Sequence, residues 1–80
     1  MRARSEKKVR TKLLGYIAEI VGFKEKELTL RGTTTIRDIL GNVRLDENRI
    51  IVLINGKPGK LNDIVEGGEY IVVMPIVGGG

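Results

Sequence analysis

The apolar and polar positions along the chain predict strands mixed with short helices. Residues 9–15 alternate and predict a first strand. Apolar side chains then recur at helical spacing over residues 16–22, which predicts a short helical turn that ends at Gly22. Residues 27–31 alternate again and predict a second strand, because Gly32 breaks the pattern after them.

The clearest helical signal follows this second strand. Thr35 and Asp38 have the spacing of a capping box, in which each side chain accepts a hydrogen bond from the other's backbone N–H. An apolar stripe with helical periodicity follows and consists of Ile36, Ile39, Leu40 and Val43. Gly41 weakens a helix by about 1 kcal/mol relative to Ala and indicates an early end.

The second half of the chain predicts strands. Residues 50–54 form a third strand, and Asn55-Gly56 is the strongest hairpin signal in the sequence. Pro58-Gly59 confines the next short strand, predicted around Lys60-Leu61, to a sheet edge. Residues 70–77 predict the last strand.

The third and last strands carry apolar side chains on both faces, which is typical of strands inside a sheet. The chain is therefore predicted to be an α+β domain with one main helix against one sheet face. We expect the opposite face to expose an apolar strip, and such strips commonly bind proteins. The alternative is that loops and the helical turn at residues 16–21 cover it.

Composition excludes several kinds of site. Eighty residues make one small domain, and its aliphatic core is rich in Ile and Val. Cys and His are absent, which excludes disulfides, a Cys/His metal site, a thiol nucleophile and an imidazole base. The only serine is Ser5, so we predict no metal site and no catalysis by the chain alone.

The positive charge is concentrated at the N-terminus. Residues 1–12 carry six basic side chains and one acidic one, whereas the other 68 residues carry eight basic and nine acidic ones. We predict that residues 1–8 form a disordered basic arm. The three aromatic residues are scattered, which argues against a nucleic-acid stacking surface. No apolar stretch approaches the ~20 residues of a membrane span, so we expect a cytoplasmic protein.

The chain ends in three glycines, which we expect to form a flexible tail over residues 78–80, after a domain that spans residues 9–77. A terminal Gly carboxylate has no Cβ beside it and can thread a narrow channel into another protein. Its carbonyl carbon is also unhindered and, once activated, open to attack.

Four segments in order resemble the MoaD/ThiS sulfur-carrier family: residues 9–22, 35–40, 54–58 and 75–80. The helical turn and the proline near the tail look more like MoaD than like ThiS. Gly78 and Ile76 depart from the MoaD pattern, which usually has Ala or Ser at the first position and often Pro at the second. The resemblance implies a β-grasp (ubiquitin-like) fold: a mixed sheet of four to five strands with one main helix packed on one face.

The resemblance also implies a carrier rather than an enzyme. An adenylyltransferase of the ubiquitin-activating (MoeB/ThiF) type would use ATP and Mg²⁺ to adenylate Gly80. Sulfur transfer would then leave a thiocarboxylate that donates sulfur to molybdopterin, in complex with a MoaE-like synthase subunit. The chain itself would bind no cofactor.

Each residue of the tail receives an expected role from this resemblance. Gly80 is the reacting group, Gly79 supplies the small size that partner channels require, and Gly78 acts as a hinge. The three residues before them, Pro75, Ile76 and Val77, are candidate docking residues. An equally good alternative is that they are core residues at the end of the last strand.

Three alternatives stay open. The same thiocarboxylate could serve tRNA thiolation or thiazole synthesis. The chain could also be a ubiquitin-like modifier, joined through Gly80 to lysines of other proteins, since archaeal small modifiers do both jobs. A third possibility is a non-covalent binding module that uses the basic arm.

Overall fold

The computed structural model describes residues 7–41 and 43–76. Its strands are β1 (Lys7–Leu13), β2 (Glu25–Leu30), β3 (Thr34–Thr35), β4 (Ile50–Ile54), β5 (Lys57–Gly59), β6 (Ile64–Val65) and β7 (Tyr70–Pro75). Its helices are α1 (Tyr16–Val21), α2 (Ile36–Leu40) and a 3₁₀ turn over Glu47–Arg49.

Five strands form one mixed sheet in the order β2-β1-β7-β4-β5. The central pair, β1 and β7, is parallel, and the other neighbours are antiparallel. A separate two-stranded sheet pairs β3 with β6. The prediction that the third and last strands lie inside the sheet is therefore confirmed, since β7 is central and β4 is its neighbour.

One face of the sheet, called the inner face, packs against both helices. Its core includes Val9, Leu13, Val52, Ile71 and Val73, and the helices add Ile17, Ala18, Ile36 and Leu40. All of these side chains are buried. The opposite face is called the outer face.

Both predicted helices are present and short. α1 ends at Gly22, whose left-handed backbone (φ 110°) donates to the carbonyl of Ala18 as a C-cap. α2 begins with the predicted capping box of Thr35 and Asp38 and ends at Gly41 after five residues. The predicted apolar stripe thus extends past the helix, and Val43 packs against the core from the following loop.

Asn55 and Gly56 form the predicted hairpin turn, both with positive φ (54° and 83°). The short strand after it is an edge strand as predicted, but it spans Lys57–Gly59 and includes the proline itself. Proline fits there because an edge strand leaves some N–H positions without a ladder partner. Lys60 and Leu61 lie in the turn that follows, and the Leu61 side chain is buried.

Three strands have boundaries that differ from those predicted. β1 begins at Lys7, so Lys7 and Lys8 belong to the sheet and not to the predicted arm. It also ends at Leu13, two residues before the predicted end, because Gly15 with its positive φ turns the chain into α1. β2 begins two residues earlier than predicted, at Glu25, and ends at Leu30. β7 ends at Pro75 and not at Val77. Residues 1–6 of the predicted arm lie outside the described residues.

Candidate functional site

The structure places the base of the C-terminal tail at the end of the central strand β7. Pro75 is the last residue of β7 and is half-buried, and Ile76 follows it with an exposed side chain. Val77 and the predicted reacting and tail positions, Gly78, Gly79 and Gly80, lie outside the described residues.

Backbone contacts fix the tail base on the β4 side. Pro75 pairs with Ile50 across the antiparallel ladder. One residue further on, the backbone N–H of Ile76 donates to the carbonyl oxygen of Arg49 at 3.0 Å. Ile76 is therefore held to the sheet by the main chain, which leaves its side chain available for contacts outside the domain.

Gly15 holds the tail base on the opposite side. Its φ of +61° disfavours other residues, and a Cβ added there would lie 3.0 Å from Cγ of Pro75. A side chain at this position would therefore press on the ring. The absence of one lets α1, which begins at Tyr16, start directly beside the end of β7.

A cleft of about 490 Å³ opens where these segments meet, lined by Tyr16, Asn48, Arg49 and Ile76. Sequence reasoning found only Ile76 among these four. Arg49 immediately precedes β4, and Ile76 immediately follows β7, so the antiparallel register makes them neighbours. The apolar pattern predicted that both strands lie inside the sheet but gave neither their pairing nor their register.

The predicted apolar strip is present on the outer face, across β4 and β7. Ile51 pairs with Met74, and Leu53 pairs with Val72. Tyr70 completes this apolar strip, in which Ile51 and Tyr70 are exposed and the other three side chains are half-buried. The strip leads along β7 toward the tail base.

Charged residues flank the apolar strip on the β1 side. Lys8, Arg10 and Lys12 alternate with buried residues of β1 and so lie on the outer face. Across the ladder, Arg10 pairs with Glu27 and Lys12 with Glu25. The guanidinium of Arg10 also contacts the carboxylate of Glu25 at 3.2 Å. Two of these three basic side chains, Arg10 and Lys12, thus lie opposite glutamates of β2, whereas Lys8 lies opposite Thr29.

Glu69 shapes the turn that leads into β7. Burial of its carboxylate acts to raise the pKa, but hydrogen bonds from the backbone N–H groups of Glu66, Gly67 and Glu69 itself, together with the charge of Lys7, lower the pKa overall. The two cross-turn bonds measure 2.8 Å and 2.7 Å. The Glu69 carboxylate therefore has a structural role, which is to hold this turn. It lies at the end of the sheet that is remote from the tail base.

Residues 7–41 and 43–76 contain no cluster of Asp, Glu, His or Cys side chains that could hold a metal ion. In those same ranges no helix has the length and apolar character needed to cross a membrane.

A model of the ThiS family matches residues 11–80, which is nearly the whole chain and includes the terminal glycines. The chain belongs to the ThiS family. The resemblance inferred from the four sequence segments is thereby confirmed.

Solved structures of other proteins are similar to this ThiS-family chain. Small archaeal modifier protein 1 from Haloferax volcanii is 25% identical, with a TM-score of 0.67 over 91% of this chain and 99% of that chain. A Pyrococcus furiosus protein named molybdopterin converting factor, subunit 1, is 20% identical, with a TM-score of 0.64 over 88% and 98%. Small archaeal modifier protein 1 from Methanosarcina acetivorans is also 20% identical, with a TM-score of 0.61 over 96% and 100%.

These likenesses confirm the β-grasp, ubiquitin-like fold. The ThiS-family chain is accordingly a ThiS/MoaD-like sulfur carrier or a ubiquitin-like protein of the small archaeal modifier type. Proteins of the ThiS/MoaD family generally interact with activating enzymes and synthase subunits.

Proposed function

We propose that the protein is a sulfur carrier whose Gly80 is adenylated and converted to a thiocarboxylate, and that the sulfur is used in molybdopterin synthesis. The observation that carries this proposal is the family match, which runs through the terminal glycines to residue 80. The tail base supports it, because a tail that begins at the end of a central strand starts from a fixed point.

A carboxylate is a poor electrophile, so the carrier depends on a partner of the ubiquitin-activating (MoeB/ThiF) type that uses ATP and Mg²⁺. In the activating step, the Gly80 carboxylate attacks the α-phosphate of ATP, and pyrophosphate leaves. A persulfide sulfur then attacks the carbonyl carbon and displaces AMP. A thiol that cleaves the resulting S–S bond leaves the thiocarboxylate on Gly80. The carrier contributes no acid, base or metal ion to these steps.

The apolar strip is the surface we assign to docking of the partners, which include a MoaE-like synthase subunit. Ile51 and Tyr70 are exposed there, and three further side chains are half-buried. Pro75 and Ile76 lie between this surface and the reacting end of the chain. Ile76 is exposed and suits docking, whereas half-buried Pro75 packs against Gly15.

The second candidate is a protein modifier, favoured by the 25% identity to a small archaeal modifier protein. Both candidates require adenylation of Gly80, and they differ in what attacks the adenylate. A persulfide leads to the sulfur carrier, and a lysine amine leads to an isopeptide bond. Sulfur transfer to tRNA or thiazole would differ only in the final acceptor.

The test is the mass of the protein recovered from its native cells, with analysis of the C-terminal peptide. A carrier carries one sulfur in place of one oxygen at Gly80, whereas a modifier yields branched peptides that join Gly80 to lysine. A variant with one alanine added after Gly80 should fold normally and not be adenylated. Adenylation of this extended variant would contradict both candidates, because each requires the glycine carboxylate.

A further inference from the structure

We propose that Arg49 and Tyr16 form a recognition collar around the tail base, in which the Arg49 guanidinium binds a carboxylate of the activating enzyme beside the opening that admits the tail. This inference rests on the proposed function. It assigns a specificity role to two residues that lie outside the apolar strip and outside the terminal glycines.

The backbone fixes the collar relative to the tail. The carbonyl of Arg49 accepts the hydrogen bond from the Ile76 N–H, so Arg49 and the first residue after β7 are held together. Gly15 packs against Pro75 and places Tyr16 on the other side. Because these contacts involve no side-chain atoms of Arg49 or Tyr16, both side chains can serve an external partner.

The tail is short, so a partner that binds its end must lie close to this collar. Four residues follow Ile76, and an extended chain spans at most about 3.3–3.6 Å per residue. The carboxylate of Gly80 therefore reaches no more than about 14 Å from Ile76, whatever conformation those residues adopt. An enzyme that receives Gly80 in an enclosed site must place the rim of that site against the tail base.

The chemistry of the collar selects the partner group. The side chain of Arg49 is 79% exposed, and its ion pair with Asp46 is long, with 3.5 Å between Nε and Oδ2. Exposed pairs of this kind contribute little stability and exchange readily. The planar guanidinium matches a carboxylate in bidentate geometry, and the exposed Tyr16 and Ile76 offer apolar contact beside it. Arg and Tyr are also the residue types enriched where interfaces derive most of their affinity.

The test uses the full-length protein with the adenylyltransferase of the ubiquitin-activating type from the same cells, and measures ATP–pyrophosphate exchange against carrier concentration. We expect Arg49→Glu to raise KM by about tenfold or more, with kcat little changed, because a like charge now faces the partner carboxylate. Arg49→Lys keeps the positive charge but loses the bidentate geometry of the guanidinium, so its KM should lie between those of wild type and Arg49→Glu. Higher salt concentration should reduce the differences in KM between these variants and wild type, because it screens the charges.

The matched control is Arg31→Glu, which makes the same charge change at the other end of the sheet. Arg31 follows β2, whose last residue, Leu30, pairs with Lys7 at the start of β1. Equal KM values for Arg31→Glu and Arg49→Glu would overturn the collar. A lower KM for Arg49→Glu would also overturn it and would indicate that Arg49 holds the protein's own tail. If wild type itself were not adenylated, the proposed function would fail first.

Discussion

Replacement of Thr11 by Val should stabilise the domain. Thr11 lies on the inner face of β1, with β2 on one side and β7 on the other, and its side chain is fully buried. Its hydroxyl has no hydrogen-bond partner among residues 7–41 and 43–76. Valine has nearly the same shape, carries a methyl group in place of the hydroxyl and favours strands, so it should fill the same space.

The magnitude follows from the cost of burying a polar group without a partner. Mutational data place this cost at about 1–3 kcal/mol for a hydroxyl. Since the substitution removes the cost without opening a cavity, we expect the free energy of unfolding to rise by about 1–2 kcal/mol. A domain of this size then melts about 5–15 °C higher.

Guanidinium denaturation of wild type and Thr11→Val measures this change, with an unchanged slope expected because the surface exposed on unfolding is similar. Thr29→Val is the matched control. Thr29 is exposed on β2, so this substitution makes the same chemical change at a site in contact with water. A destabilised Thr11→Val variant would falsify the reasoning. It would mean that the hydroxyl makes a bond in solution, for instance to a buried water molecule.

Two further predictions concern the packing of the core and the loss of stability at acidic pH. Ile36→Ala should lower the free energy of unfolding by about 2–5 kcal/mol, because Ile36 is fully buried. Ile39→Ala should lower it by less, because Ile39 is only half-buried. The denaturant midpoints of the two variants measure this difference. Glu69 has a folded-state pKa below its ordinary value of 4.5, so its contribution is complete above that pH and is lost as pH falls through the folded pKa. Glu69→Gln should therefore weaken the acid dependence of the melting temperature, with Glu19→Gln as the control for removal of an exposed carboxylate.

The elements that sequence predicted well are those fixed by local chemistry. The hairpin at Asn55-Gly56 needs two positive φ angles, which those residues tolerate. The capping box of Thr35 and Asp38 forms within four residues. Strands β4 and β7 are apolar on both faces, so only the sheet interior suits them.

The elements that sequence missed depend on distant partners. β3 and β6 have two residues each, too few to show any period, and they exist because they pair with each other. The tail-base cleft likewise depends on the register that places Arg49 opposite Ile76. Local periodicity predicts which face of an element is buried, but it does not predict which strands become neighbours.

The charge distribution separates two kinds of recognition surface. On the β1 side, Arg10 and Lys12 face glutamates of β2, so their charges are partly compensated within the fold. This weakens the case for that row as a phosphate-binding surface, since such binding depends on uncompensated positive charge. Arg49 has only a long ion pair to Asp46 within the described part of the chain, and it lies at the tail base. A partner that reads charge on this domain would therefore gain more specificity from Arg49 than from the more basic strand β1.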